Sequence, residues 1–441
     1  MLNVLEFLLG VLFVILGIGL SIGLHEIGHL VPAKKFGARV SKYMIGFGPT
    51  LWSFKKGDTE YGIKLIPLGG YIAISGMLPP SKKSGNGSKV ASSRFARFVQ
   101  DARRNQAEAD GSYDESKAFY RLSVWKRIVV MVGGPSMNLV LGLIFTSIAI
   151  SGIGTFQAGT KIDRVFPCVQ ILETNATCAA SDPVGPAAQA GLKPGDVITK
   201  VNGQSVTTFT AVQATLLGNA KPVAVTYLRA GETQTVVVKP VLVKRAAFDN
   251  LTGAQKLTKS GQPVLQTRGV LGIQLNVVRA PYGLDRSMAY SGMVLGQTAG
   301  LIIDLPQQLY SMTVNTFTGG PRSTSGPVSI VGISNIAGNV AQDNRIDLMG
   351  KLATGFMMLA SLNFALFVFN LVPLLPLDGG HVLSAVYEGV KRGIFRVLRK
   401  PDPGPADTAM MVPFTMVMWF VLLAVSILVM VADFVNPVNL G

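Results

Sequence analysis

Four apolar stretches, each long enough to cross a lipid bilayer, constrain this chain more than anything else in it. A bilayer's hydrocarbon core takes about 20 helical residues at ~1.5 Å each. The stretches run from about Val4 to Leu30, Ile128 to Ile153, Leu352 to Leu377 and Met410 to Ala432. In lipid every backbone polar group must be satisfied within the segment, so each stretch is expected to be a transmembrane helix. The first lacks a basic n-region and its apolar run is too long for a signal peptide, so it is expected to remain in the mature chain. A fifth stretch, Met288–Val314, contains Asp304, Pro306 and several polar residues and reads as an interfacial or partly buried helix.

Charge sets the expected topology. Only 15% of the 441 residues are charged, well under the soluble norm of about 25%. The net charge of +16 does not indicate nucleic acid, because the basic residues flank apolar stretches and no aromatic-basic platform accompanies them. Between the first two stretches, Val31–Arg127 carries 18 Lys and Arg against 7 acidic residues. The loop after the third holds Lys391, Arg392, Arg396, Arg399 and Lys400. Both basic loops are therefore expected in the cytoplasm, and both termini outside, in a multi-pass plasma-membrane protein. The long segment 154–350 then lies outside, since long domains translocate regardless of charge. Cys168 and Cys178 both fall there, where an oxidising compartment permits a disulfide, two free thiols being the alternative.

The loops have their own texture. Tyr43–Tyr71 holds Gly46-Phe47-Gly48-Pro49 and Pro67-Leu68-Gly69-Gly70 around short β-prone runs, which suggests hairpins. Pro79–Ala118 is rich in Ser, Gly, Lys and Arg and reads as a flexible insertion. In the outer segment, Gly185–Gly191 reads as a short helix, followed by a Pro-Gly turn, the strand Val197–Val201 and an Asn-Gly turn. Val223–Leu228 and Thr233–Val238 add a hairpin. This pattern, over about 159–245, resembles a PDZ domain, which binds extended peptide ends by strand addition. A small β domain without a ligand is the plainer alternative.

The chemistry is concentrated in His25-Glu26-Ile27-Gly28-His29, at the end of the first stretch. Residues four apart share a helix face, so both imidazoles can reach one metal ion, with Glu26 beside it. Zinc lowers the pKa of a bound water towards about 7, where a carboxylate can take its proton. A chance pair of interfacial histidines is the bland reading. Against it, the chain has only 3 histidines and two lie here, and ionisable groups in a span are costly and usually functional. A third ligand is needed. The first and third stretches both run from outside to inside, bringing Asp378 to the depth of His25 and His29. Pro373 and Pro376 let the chain bend towards the metal. His381 competes for the same role. A zinc transporter would need a polar path through several spans, whereas the ionisable groups here gather at one point. A non-catalytic PDZ scaffold would tolerate loss of a histidine or Glu26, and none is missing.

Taken together, His25–His29, Gly134-Pro135-Ser136-Met137-Asn138, Asn370 through Gly380 and the PDZ-like insert resemble the site-2 protease family over almost the whole chain. The single PDZ-like unit with its cysteine pair resembles the Gram-positive-type regulators of intramembrane proteolysis. The resemblance implies an intramembrane zinc metalloendopeptidase with one Zn2+ per chain, held by His25, His29 and Asp378, with Glu26 catalytic. It implies single-span membrane substrates such as anti-sigma factors already trimmed by a site-1 protease. It further implies that Tyr61–Ile74, including Tyr61, Ile63 and Leu65, is a membrane-associated β-hairpin holding the substrate as an added strand, and that Asn370 contacts substrate backbone. The active site would lie near the cytoplasmic face of the lipid bilayer.

The expected architecture is thus an α-helical polytopic membrane protein with four transmembrane helices and an inserted β-rich PDZ-like extracytoplasmic domain. Residues 1–31, 128–153, 351–378 and 410–433 are the spans. Residues 32–127 and 379–409 are cytoplasmic loops, 154–245 the PDZ-like domain, and 246–350 a linker with an amphipathic helix.

Overall fold

The computed structural model describes residues 2–80, 94–169, 178, 182–206, 220–248, 255–256, 258, 262–320, 322 and 326–437. The chain forms two compact units: Met1–Ala149 with Ser291–Gly441, and Ile150–Tyr290 between them.

The first unit begins with α1 (Leu2–Lys35), an apolar helix that ends on Lys34 and Lys35 just before Gly37 in the left-handed region. Two long strands follow, β1 (Val40–Lys56) and β2 (Thr59–Ile74). Then come α2 (Arg94–Asp110) and α3 (Val124–Ser147), which continues through a π-helical turn to Ile153. The second unit holds β3 (Thr155–Val165), the single turn α4 (Pro186–Gln189), β4 (Val197–Val201), β5 (Gln204–Ser205), β6 (Val223–Arg229) and β7 (Glu232–Val238). It also holds β8 (Val241–Ala246), β9 (Leu265–Val270) and β10 (Ile273–Ala280). After these come α5 (Leu284–Ile303), α6 (Leu305–Thr318), α7 (Ile330–Gln342), α8 (Leu348–Asn370), α9 (Asp378–Val397) and α10 (Val412–Val435).

Among the described residues, four helices are long and apolar enough to cross a membrane: Asn3–Lys35, Val124–Ile153, Leu348–Asn370 and Thr408–Val435. α1 packs against α3, α7 and α8, and α3 against α8 and α9. Leu141, Phe145, Leu359 and Phe364 fill one core where α3 meets α8. A buried polar bridge also joins α8 to α1, Asn363 Nδ2 donating to Ser21 Oγ at 2.9 Å. Such contacts matter in lipid, where an unpaired amide has no water to turn to. Arg127, at the start of α3, and Glu388 of α9 form a buried ion pair at 2.6 Å.

In the second unit one antiparallel sheet has the order β10-β3-β4-β6-β7, with β5 on β4, and β8 and β9 form a separate pair. Ile162, Ile198, Val201, Val223, Val225 and Val238 form its core. Cys168 and Cys178 are disulfide-bonded, so the bridged alternative holds.

Several boundaries differ from expectation. The segment read as a flexible insertion contains α2; residues 81–93 of it lie outside the described residues. α2 is held because Val99 is buried, Arg103 pairs with Asp407, and Asp110 accepts from the Gly76 amide. The third span ends at Asn370, not at residue 378, and Leu371–Leu377 forms a tight reversal, because Pro373 and Pro376 cannot donate to a continuing helix. The segment 379–409 is mostly the helix α9 rather than a loop. The fifth apolar stretch is two helices, broken at Asp304 with Pro306 in the first turn of α6. The stretch taken as a linker also contributes β9 and β10, and β10 joins the main sheet.

Candidate metal centre

His25 and His29 project from the last turns of α1, their Nε2 atoms 3.2 Å apart. Asp378, the first residue of α9, places Oδ2 3.4 Å from each of those nitrogens. The reversal Leu371–Leu377 makes this possible by folding back on the start of α9. A Cβ at Gly379 would meet the Val372 carbonyl at 2.3 Å, and one at Gly380 the Leu375 nitrogen at 2.5 Å. Among the described residues, these three are the group of His, Cys, Asp and Glu donors close enough to share a metal. His381 is not among them. It faces a small cavity with Arg127 and Ser384 instead.

The cluster fits zinc. Ligand atoms about 2.0–2.1 Å from a tetrahedral ion lie about 3.3 Å apart, which is the spacing observed. The tautomers also fit. His29 is buried, and its Nδ1 lies 2.8 Å from the carbonyl oxygen of Val130, an acceptor that only Nδ1–H can use. Nε2 then keeps its lone pair for a metal. His25 Nδ1 faces the side-chain amide of Asn138 at 3.0 Å. Asn138 is fully buried; its Nδ2 is the atom set against the ring, and its Oδ1 has no hydrogen-bond partner among the described residues. With Oδ1 turned to the ring, the amide accepts from Nδ1–H and leaves His25 Nε2 free as well.

In the sequence Asn138 and Gly28 stand inside motifs and Gly133 just before one, and nothing in the pattern gives any of the three a role. A Cβ at Gly28 would lie 2.3 Å from the Gly133 carbonyl oxygen, and one at Gly134 2.2 Å from His29 Nε2. These glycines let α3 press against the histidine-bearing turn. The signal available in sequence was polarity: an asparagine inside an apolar span needs a partner.

Glu26 lies beside the cluster and against the end of β2, where a Cβ at Gly70 would lie 3.4 Å from its Cγ. The β-sheet next to it is more folded than a hairpin. Tyr43 of β1 lies opposite both Tyr61 and Ile72, and Ile45 opposite both Ile63 and Gly70. Trp52, further along β1, also pairs with Ile63. The two strands therefore bend into four runs, in the order Thr50–Lys56, Thr59–Lys64, Val40–Ile45 and Gly70–Ile74. The last run pairs on one side only among the described residues, and its other edge faces Glu26. Tyr43 ties the sheet to α1 by donating to the Gly23 carbonyl at 2.8 Å, and its burial pushes the phenol up to about 12. Of the residues expected to hold substrate, Tyr61 and Ile63 sit in an inner run with both neighbours paired, and the Ile63 and Leu65 side chains are exposed. Asn370 is the half-buried last residue of α8.

Comparison with known proteins covers the segments that carry this cluster. The model of Peptidase family M50 matches residues 13–400. The chain is 31% identical over 448 residues to zinc metalloprotease Rip1 of Mycolicibacterium smegmatis, covering 98% of each chain. Rip1 of Mycobacterium tuberculosis is 30% identical over 445 residues, 98% of this chain and 99% of that one. Metalloprotease MmpA of Caulobacter vibrioides is 27% identical over 410 residues, covering 89% of each.

Proposed function

The chain belongs to peptidase family M50 and is a zinc metalloprotease with a multi-pass membrane core; from that premise we propose that it cleaves single-span membrane proteins within the bilayer, with His25, His29 and Asp378 holding zinc and Glu26 as general base. The observation that carries this reading is the meeting of three donor atoms, 3.2–3.4 Å apart, beside a carboxylate at the end of a transmembrane helix.

When bound, zinc supplies an acidified water and an electrophile for the scissile carbonyl. The chain's own groups do the rest. Val130 and Asn138 fix the ring orientations. Glu26 takes the proton of the attacking water and returns it to the leaving amine. A substrate helix hides its peptide bonds in i to i−4 hydrogen bonds and must unwind, which in lipid exposes polar groups at several kcal/mol each. The free edge of Gly70–Ile74 supports strand addition there, directly beside Glu26. On this reading the docking edge is the run 70–74, with the run that holds Tyr61 and Ile63 two strands behind it. The Asn370 amide can offer the same stretch a donor and an acceptor.

The excess of Lys and Arg in the two loops supports a cytoplasmic location for the site, with both termini outside. The Cys168–Cys178 bond supports an oxidising surrounding for the second unit. Its short helix, turn and hairpin support a PDZ-like role in selecting trimmed substrates, anti-sigma factors among them.

The test is Glu26→Gln in the full-length protein. Zinc should stay at about one per chain, while cleavage of a single-span substrate falls by about 10²–10⁴-fold. Full cleavage with zinc retained would remove Glu26 from the chemistry. Zinc retained in full by Asp378→Ala and lost by His381→Ala would overturn the ligand set.

A further inference from the structure

We propose that α9, the helix that begins with Asp378, docks by its outer face onto a membrane leaflet rich in anionic lipid. Leu383, Val386, Tyr387, Val390, Ile394 and Val397 are each between 42% and 83% exposed. Their spacing of three, four, seven, eleven and fourteen from Leu383 puts them on one helical face. The opposite face is the one the protein uses. Ala385 and Glu388 are buried there, and Glu388 pairs with Arg127 and Arg392. α9 is therefore apolar on the side that no described residue covers. It is too polar to be one of the four spans, which is the profile of a helix lying in a membrane interface.

Its depth supports this. A Cβ at Gly389 would lie 3.2 Å from Val124, the first residue of the second span. Trp125 beside it is exposed, and Lys126 Nζ sits 5.8 Å from its ring centre. Exposed Trp with Lys at the end of a span marks the membrane–water boundary. α9 also lies between two spans in sequence, α8 and α10. Charge names the lipid. Lys391 lies over Tyr387, and Arg396, Arg399 and Lys400 are exposed around the end of the helix. Of its two acidic residues, Asp378 lies in the metal cluster and Glu388 is engaged by arginines. Each basic residue near an anionic surface contributes about 1 kcal/mol, roughly a fivefold gain in leaflet affinity.

The proposal rests on membrane insertion and not on hydrolysis, so its test does not read cleavage. Full-length protein carrying Val390→Cys or Arg396→Cys, each with a nitroxide label, is placed in nanodiscs of phosphatidylcholine with or without phosphatidylglycerol. The native cysteines are already bonded to each other. The label at 390 should be accessible to oxygen and shielded from a water-soluble nickel chelate, and the label at 396 open to nickel. Phosphatidylglycerol should deepen the 390 label. Replacing Lys391, Arg396, Arg399 and Lys400 by Gln, with zinc content checked to confirm folding, should abolish that deepening. Equal nickel access at 390 and 396 overturns the docking. Depth at 390 that ignores both phosphatidylglycerol and the Gln substitutions overturns the anionic preference. Shielding that appears only in discs holding two copies assigns the face to a second chain instead.

Discussion

The two β-sheets of this protein are built from similar residues under opposite burial rules. In the second unit, β6 alternates buried Val223, Val225 and Tyr227 with less buried neighbours, and its inner face closes on Ile162 and Ile198. In the first unit, β1 buries Val40, Tyr43 and Met44 against α1, and then every residue from Gly48 to Lys56 is exposed, Leu51, Trp52 and Phe54 among them. Phe54 stacks on Tyr61 rather than entering a core. A sheet in water does not leave such a surface uncovered. The difference shows that β-propensity chooses the strand and the surrounding solvent chooses its partner. One sheet draws its stability from its own interior. The other is anchored by one half, and its exposed remainder is the surface proposed above to meet lipid and substrate.

The largest expected effect separates the edge of the first sheet from its interior. Ile63 pairs on both sides, with Ile45 and Trp52. Ile63→Pro removes a ladder donor from a run paired on both sides, a position that excludes proline, so the sheet should open and cleavage be lost. Ile72 lies on the free edge, where proline is tolerated. Ile72→Pro should keep the fold and zinc while cleavage falls, because a backbone donor is lost from the edge run proposed to hold substrate. Hydrogen exchange on full-length protein in nanodiscs distinguishes the two. Unchanged cleavage in Ile72→Pro would detach this edge from substrate docking.

The next effect tests the burial rule itself. Ile198 is fully buried in the second unit, and Ile198→Ala should cost about 2–5 kcal/mol there. Trp52 is more than half exposed, so Trp52→Ala should cost under about 1 kcal/mol in detergent. Exchange protection of β4 and β6 should collapse in the first variant, and that of β1 should hold in the second. Equal losses would mean that the exposed half of β1 has a protein partner after all.

How far these features could be read from sequence follows the same division. The histidine spacing and the apolar spans were legible because helix periodicity and bilayer thickness are local constraints. Asp378 was legible only through topology, two spans running the same way to one depth. The reversal that delivers it was not, since prolines say that a helix stops and not where the chain goes next. The double pairing of β1 and β2 was hidden for a related reason: strand-prone runs do not name their partners. α9 carried a readable apolar stripe, but its basic cluster was read for topology alone. Asn138 was visible as a polar residue in a span, yet only the geometry shows that it faces His25.

The smallest expected effect concerns acid, and it should fall on one sheet only. In the second unit the Asp196 carboxylate accepts from Arg229 Nε and Nη2, each at 2.7 Å, and from the Lys193 amide at 2.8 Å. The bonds from Arg229 chiefly hold this carboxyl below its ordinary value, against the opposing effect of burial. Its folded value therefore lies under the unfolded one of about 3.9. The stabilisation is complete above that unfolded value and is lost as pH falls through the folded one. The turn Leu192–Asp196 and the ends of β4 and β6 should loosen below about pH 4, while the exposed half of β1, whose one carboxylate contact among the described residues is the solvent-exposed bond from Ser53 to Glu60, should change less in that window. Asp196→Asn should lower the midpoint of the second unit at neutral pH by less than Ile198→Ala does, and should flatten its acid limb. Exchange rates measured from pH 6 to 3, corrected for intrinsic chemistry, read both arms. An acid limb that survives Asp196→Asn would place the sensitive carboxylate elsewhere in the unit.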